Sequence, residues 1–427
     1  MNCTAEMLRL YAVTDRAWVG RQTLPQQVEA ALKGGATCVQ LREKHLDDTD
    51  MLAEAKTISA LCRAYHVPFI LNDNVPLAKL CGADGVHVGQ DDLSAAEARR
   101  LLGPDKIIGV SAHNVAEAKK AFADGADYLG CGAMFATATK TNVTALPKET
   151  LRAICASVPI PVVAIGAIQN LEQAEEIIAS GKADFVSIAR GVIADPELGN
   201  KAYAGRGEDV RPCIKCFKCH DGACYYDHFV CSVNPEIGIE DKLGQYILPT
   251  KGGKRISIVG GGPAGMQAAI YLHDRGHHVT LFEASDHLGG QLNFADYAQF
   301  KRDLGRFKDY LIRQVEQRDI PVQYNTFATP ELLNAQHPDH VILAVGADPL
   351  VIPIPGVERT VKAPDVFGHE DALGENVVII GGGQVGAETG IHLAQLGKDV
   401  TILEMQDKIA PDAWFTYKWA MDIELKE

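Results

Sequence analysis

In the stretch "QLREK", residues 40–44, the side chains of Gln40, Arg42 and Lys44 fall two apart. On an extended backbone all three point to one side. Two cations and an amide on one side suit a polyanion such as pyrophosphate. A solvated loop is the plainer reading of these five residues taken alone. Further on, "LNDN" and "HVGQDD" supply Asn72, Asp73, Asp91 and Asp92. Carboxylates with few nitrogen or sulfur partners favour Mg2+, which bridges to substrate phosphates. As helix N-caps, Asp73 or Asp92 would need no metal at all. Ser111 follows, and then Thr137, Ala138, Thr139 and Lys140 within "FATATKT".

A second set of chemistry-bearing residues lies beyond position 210. Cys213, Cys216 and Cys219 form C-x2-C-x2-C, and Cys231 follows. Four thiolates, three of them in tight turns, suit a 4Fe–4S cluster, with Zn2+ as the structural alternative. His220 and Cys224 read as bystanders. "ISIVGGGPAGMQAA" sets Gly260, Gly262 and Gly265 as G-x-G-x-x-G, and Glu283 closes the next strand. "VVIIGGGQVGAETG" repeats the pattern at Gly381, Gly383 and Gly386, ending at Glu404. Such glycines let backbone amides and a helix N-terminus approach a pyrophosphate, while the acid receives ribose hydroxyls. An acid at the end of the second unit favours NAD(H) over the 2′-phosphate of NADP(H).

These residues need elements to hold them. From residue 8 to residue 190, eight short β-rich runs alternate with helical patterns, among them "ATCVQLRE", "VPFILND" and "PVVAIG". That alternation predicts an α/β fold, a (β/α)8 TIM barrel with its chemistry at the C-terminal strand ends. An open doubly wound sheet is the alternative. The pattern divides the chain into a barrel over 1–195, a cysteine-rich segment with linker over 196–253, and a Rossmann-type domain over 254–363. A second, truncated nucleotide fold begins at 364 and runs to 427.

The bulk numbers limit the partners. With 427 residues, the chain is long enough for two or three cores. A net charge of −14 argues against nucleic acid or an anionic membrane as the main partner. No stretch reaches the roughly 18 apolar residues of a membrane span. The start, "MNCTAEMLRLYAVTD", lacks a secretion signal, and five of the 11 cysteines crowd between 213 and 231. Metal comes before disulfides in such a chain, and a reducing cytoplasm is the expected location.

In order, "QLREK", "LNDN", "GADGVHVGQDD", "GVSAHN" and "FATATKT" resemble the motifs of thiamine-phosphate synthase, over residues 8–166. The resemblance implies a transferase that joins an aminomethylpyrimidine diphosphate to a thiazole phosphate and releases pyrophosphate. It implies that Gln40, Leu41, Arg42, Glu43, Lys44, Asn72, Ser111 and Lys140 hold the pyrimidine diphosphate, and that Asp73 and Asp92 bind Mg2+. Thr137, Ala138, Thr139 and Gly166 would hold the thiazole phosphate. Ala189 and Arg190 stand where that family presents a small hydroxyl residue, and the Arg190 guanidinium is expected to grip the same phosphate. Arg42, Lys44 and Lys140 would stabilise the leaving group. Ala167 stands where that family has a second glycine.

From about residue 161 onward, "SGKADFVSIARGVIADPEL", the cysteines and "SVNP" resemble the iron–sulfur branch of the old yellow enzyme family. With "HLGGQL" after the first glycine turn, the resemblance implies FAD there. The first six strands of that family's barrel, which cover FMN, are replaced here, which argues against FMN. The chain thus reads as a synthase joined within strand 7 to a remnant iron–sulfur flavin module. The alternatives are an NADH-dependent oxidoreductase and a non-catalytic chimeric product. Composition says nothing of oligomeric state.

Overall fold

The computed structural model describes residues 3–16, 22–44, 46–132, 146–166, 168, 170–225, 230–240 and 252–426. The chain divides into two compact units, Met1–Val192 and Ile193–Glu427. Among the described residues, no helix is long and apolar enough to cross a membrane.

In the first unit, β1 (Tyr11–Val13), β2 (Cys38–Leu41), β3 (Phe69–Asn72) and β4 (Gly85–Val88) are followed by β5 (Ile107–Ala112), β6 (Tyr128–Gly132), β7 (Val162–Ile165) and β8 (Phe185–Ser187). All eight are parallel and pair in sequence order, with no switch point, so the open doubly wound alternative falls. Between them run α1 (Leu24–Lys33), α2 (Asp48–Ala64), α3 (Val75–Cys81), α4 (Ala95–Leu102), α5 (Val115–Ala123), α6 (Lys148–Ser157) and α7 (Leu171–Ala179), and α8 (Arg190–Ala194) follows β8.

The period-two pattern sorts each strand's side chains to two sides. One set, including Val39, Leu71, Val86 and Ile108, packs against the helices. The other set meets inside. Tyr11, Cys38, Ile70, Ile107, Tyr128, Val163 and Phe185 share one cluster, so that β1 and β8 both contribute side chains to the interior.

Polar side chains cap the starts of six of the seven helices from α1 to α7, α6 after Pro147 being the exception. Thr23 with Gln26, and Ser94 with Glu97, form capping boxes, while Asp47, Asn74, Asn114 and Asn170 cap α2, α3, α5 and α7. The caps of α3 and α4 are therefore Asn74 and Ser94. Neither Asp73 nor Asp92 commits its carboxylate to a helix N-terminus.

The second unit opens with α9 (Leu198–Tyr203) and α10 (Lys218–Tyr225). Next come β9 (Arg255–Val259), α11 (Pro263–Asp274), β10 (His278–Phe282), α12 (Leu292–Ala295), α13 (Asp303–Glu316), β11 (Val322–Gln323), α14 (Pro330–Ala335) and β12 (His340–Leu343). The four strands are parallel in the order β11-β10-β9-β12, half of a dinucleotide-binding sheet. Cys213, Ile214 and Cys231 pack against the core of this sheet. A second strand–turn–helix unit follows with β13 (Asn376–Ile380), α15 (Gln384–Gln395) and β14 (Asp399–Leu403), and α16 (Phe415–Glu424) closes the described chain.

Candidate active site

At the C-terminal ends of β2, β3 and β4 the barrel gathers polar side chains. Gln40 Nε2 donates to Asn72 Oδ1 at 3.3 Å, with both residues buried. Lys44 pairs with Asp73, whose backbone takes a left-handed φ of 63°. Asp92 Oδ2 accepts from Gly89 N at 2.7 Å. Burial pushes the Asp92 carboxyl upward, and the nearby Asp73 adds to the rise. The Gly89 N–H and the Lys44 ammonium oppose it. A carboxylate whose charge is opposed by a neighbouring carboxylate is favoured by a cation beside it. Together with substrate phosphates, the pair fits Mg2+, which needs few protein ligands. Among the described residues no trio of His, Cys, Asp or Glu stands at metal-ligating spacing.

Not every residue of "QLREK" faces the rim. Leu41 is fully buried in the layer under the helices. Glu43 is buried too, and its carboxylate meets Arg16, which also holds Glu54 of α2. Glu43 Oε1 accepts the Lys44 N–H at 2.9 Å. Glu43 thus ties the loop down, while Arg42 and Lys44 remain exposed. Gly166 follows β7 at φ 113°, where a side chain would be strained. Ala189 is exposed and Arg190 half-buried at the start of α8. Thr137, Ala138, Thr139, Lys140 and Ala167 lie outside the described residues.

Sequence reasoning passed over three residues beneath the rim. His87 Nε2 lies 3.1 Å from Ser111 Oγ, and its Nδ1 lies 3.0 Å from Tyr128 Oη. Tyr128 Oη in turn is 2.7 Å from Tyr11 Oη. The strands leave room for these rings by carrying glycine opposite them. A Cβ on Gly109 would stand 2.2 Å from the Tyr128 ring and 2.5 Å from His87 Nδ1. The inward register of His87 and that glycine were the available signals.

In the second unit the two glycine turns are near copies. A Cβ on Gly265 would stand 1.9 Å from the Gly260 carbonyl, and Gly386 repeats that distance to Gly381. Gly262 and Gly383 cap α11 and α15. Glu283 Oε2 accepts from Gly261 N, and Glu404 Oε2 from Gly382 N, each at 2.7 Å. Burial opposes the charge of Glu283, yet N–H and O–H groups of Ser285 with Gly261 hold it below the usual carboxylate range. Each acid therefore shapes its own turn as well as standing at the strand end.

Cys213, Cys216, Cys219 and Cys231 share one neighbourhood. Burial pushes the Cys219 thiol up to about 11, and the charges of Cys213, Cys231 and Cys216 add to the rise. Lys215 and Phe217, between the first three, sit at left-handed φ values of 57° and 56°, curling the loop. Cys216 Sγ donates to Ser232 Oγ at 3.2 Å. The curled loop gathers the four thiols into one neighbourhood, without a set at metal-ligating spacing among the described residues. One further feature has no signal in the sequence. Asp221, fully buried on α10, accepts from the N–H and hydroxyl of Thr416 on α16, with Oδ2 2.8 Å from the nitrogen.

Comparison with known proteins separates the two units. The family model for thiamine monophosphate synthase matches residues 10–192. That for pyridine nucleotide-disulphide oxidoreductase matches residues 236–303 and 254–421. The NADH oxidase of Thermoanaerobacter brockii is 42% identical over 264 residues, which are 60% of this chain and 40% of that protein. The chain spans less than half the length of that relative and of a metal reductase from Desulforamulus reducens, of which it covers 46%. A solved 2-naphthoyl-CoA reductase complex superposes with a TM-score of 0.81 at 20% identity, over 98% of this chain and 84% of that one. That likeness speaks for the fold, which is the barrel and nucleotide-fold architecture described above. The thiamine-phosphate synthase of Clostridium acetobutylicum is 44% identical over 194 residues, 45% of this chain. Because that match takes in 91% of the synthase's own length, the chain belongs, through its barrel, to the thiamine-phosphate synthase family.

Proposed function

We propose that the barrel joins an aminomethylpyrimidine diphosphate to a thiazole phosphate, forming thiamine phosphate and pyrophosphate. The C–O bond to the diphosphate breaks, the thiazole nitrogen supplies the electron pair of the new C–N bond, and no net redox change occurs. The observation that carries this reading is the meeting of Lys44, Asp73 and Asp92 at the ends of three successive strands, over the buried Gln40–Asn72 pair.

Asp73 and Asp92 would hold Mg2+, which when bound neutralises charge on the leaving pyrophosphate. Arg42 and Lys44 would bind the diphosphate oxygens, and Lys140 would join them. Arg16, through Glu43, keeps the strand end that carries both cations in place. Ser111 would donate its hydroxyl to the pyrimidine diphosphate, oriented by His87. Thr137, Thr139 and Gly166 would bind the thiazole phosphate. The Arg190 guanidinium would grip the same phosphate, making up for the closer backbone approach that glycine in place of Ala167 would allow. No protein nucleophile is needed. Incubation with both precursors and Mg2+ tests the reading: pyrophosphate should appear, and omitting the thiazole phosphate or the metal should stop it.

We further propose that the second unit binds FAD at Gly260–Glu283 and NAD(H) at Gly381–Glu404, with a 4Fe–4S cluster on the four cysteines. The finer division at 196–253, 254–363 and 364–427 belongs to this reading. It is supported by the paired turns, each with its acid, and by the mutual charge of the thiols.

A further inference from the structure

Three ion pairs and one unmatched arginine surround a cavity of about 470 Å3 in the second unit. Lys201 pairs with Asp195 at 2.6 Å, Arg206 with Asp209 at 3.8 Å, and Arg318 with Asp274 at 2.7 Å. Arg211 has no such carboxylate among the described residues. Its Nη1 donates to the Ala194 carbonyl at 3.5 Å and to Asn234 Oδ1 at 3.2 Å, both neutral acceptors. Its guanidinium lies 5.9 Å over the Tyr310 ring, and its Nε is buried with no partner. Asp195, an acid close by, is shared: Oδ2 accepts the Arg211 backbone N–H at 2.7 Å as well as the Lys201 ammonium.

Burial opposes the Arg211 charge, while Tyr310, Tyr271 and the nearby Asp195 offset that burial, and the Nε is left without a partner. An anion in the cavity would add a direct counter-charge beside Arg211, Lys201, Arg206 and Arg318. The surrounding cations also limit its shape. Lys201 lies on α9, Arg206 in the turn after it, Arg211 just before the cysteines, and Arg318 past the end of α13. Donors arriving from four separate elements do not share a plane. They suit a tetrahedral oxyanion better than a flat carboxylate.

We propose that this cavity binds phosphate or a phosphate monoester, with Arg211 as its principal contact and the exposed Arg206 as its outer one. The cavity is larger than a lone phosphate, and the Tyr310 ring forms one wall beside which an ester's organic part would lie.

Calorimetric titration of the full chain with inorganic phosphate, phenyl phosphate and acetate tests this. Saturable phosphate binding is expected, with acetate at least tenfold weaker. Phenyl phosphate binding at least as tightly as phosphate would identify the ester as the occupant, and weaker binding the free ion. Arg211→Met should weaken phosphate at least tenfold. Arg206→Ala, at an exposed position that folding does not require, should weaken it severalfold. Lys44→Ala, which removes a phosphate contact at the barrel rim, should leave the Arg211-dependent component of the isotherm in place. Phosphate binding unchanged in Arg206→Ala and Arg211→Met, acetate bound as tightly as phosphate, or an isotherm lost only in Lys44→Ala would each overturn the assignment. If Arg211→Met fails to fold, Arg206→Ala decides.

Discussion

Asp73 and Asp92, beyond the ends of adjacent strands, stand close enough that Asp73 raises the proton affinity of Asp92 beyond what its burial does. The pair is set against itself until a cation arrives. Folding therefore favours protonated Asp92. Without metal, that contribution is present at low pH and is lost as pH rises from the ordinary carboxylate value of 3.8 through the raised folded value. Mg2+ should raise the melting temperature of the chain near neutral pH and lose the effect toward pH 4. Asp92→Asn should cut pyrophosphate release about 100-fold, as expected when a metal ligand that acts in the transition state is removed. A full rate with unchanged Mg2+ requirement in that variant would contradict the assignment.

The buried Gln40–Asn72 hydrogen bond should be visible in stability and in substrate affinity. Asn72→Ala leaves the Gln40 amide without that acceptor, a cost of about 1–3 kcal/mol. Urea denaturation should report the difference. The KM for the pyrimidine diphosphate should rise roughly tenfold, equivalent to about 1.4 kcal/mol. Wild-type stability in Asn72→Ala would mean that Gln40 finds another partner.

Anaerobic purification should yield a brown protein with an iron–sulfur absorption band. Cys231→Ala should abolish the colour, whereas Cys224→Ala should keep it. A colourless protein carrying one zinc per chain and no iron would replace the cluster with a structural zinc.

Thr416→Val removes a hydroxyl donor from the fully buried Asp221. Leaving that carboxylate partly unsatisfied should destabilise the second unit by about 1–3 kcal/mol. The effect should appear as faster hydrogen exchange in α10 and α16. Unchanged exchange in both helices would show that Asp221 does not hold them.

His277 gives the second unit a dependence on mild acid. Burial lowers its pKa, and Arg275, Lys254, His340 and His278 lower it further. The unfolded chain therefore takes up a proton near pH 6.5 before the folded one does. The contribution is present above pH 6.5 and is lost as pH falls through that value toward the lowered folded pKa. His277→Gln should flatten the stability profile between pH 7 and pH 5. An unchanged slope would place the titration elsewhere.

Local patterns carried the fold. Eight apolar runs separated by capped helices specify a barrel because strand and helix periods are read within a few residues, and the two glycine turns repeat in place. Residues at strand ends, such as Gln40, Asn72, Asp73 and Asp92, were legible for the same reason. Contacts between distant segments were not. Glu43 looks like a rim residue beside Arg42, yet Arg16, 27 positions before it and itself paired with Glu54 of α2, draws it inward. Asp221 and Thr416 meet across 195 positions, a pairing that no periodicity announces. His87 was hidden by its strand, where one inward polar residue looks like any other.

Whether the barrel makes thiamine phosphate is measured most directly by the amount of that product, quantified by mass spectrometry beside pyrophosphate, from both precursors with Mg2+. Equal amounts of the two products are expected, with both lost in Asp92→Asn and strongly reduced in Lys44→Ala. Correctly folded chain that yields neither product, or pyrophosphate formed without thiamine phosphate, would contradict the assignment of the barrel as a thiamine-phosphate synthase.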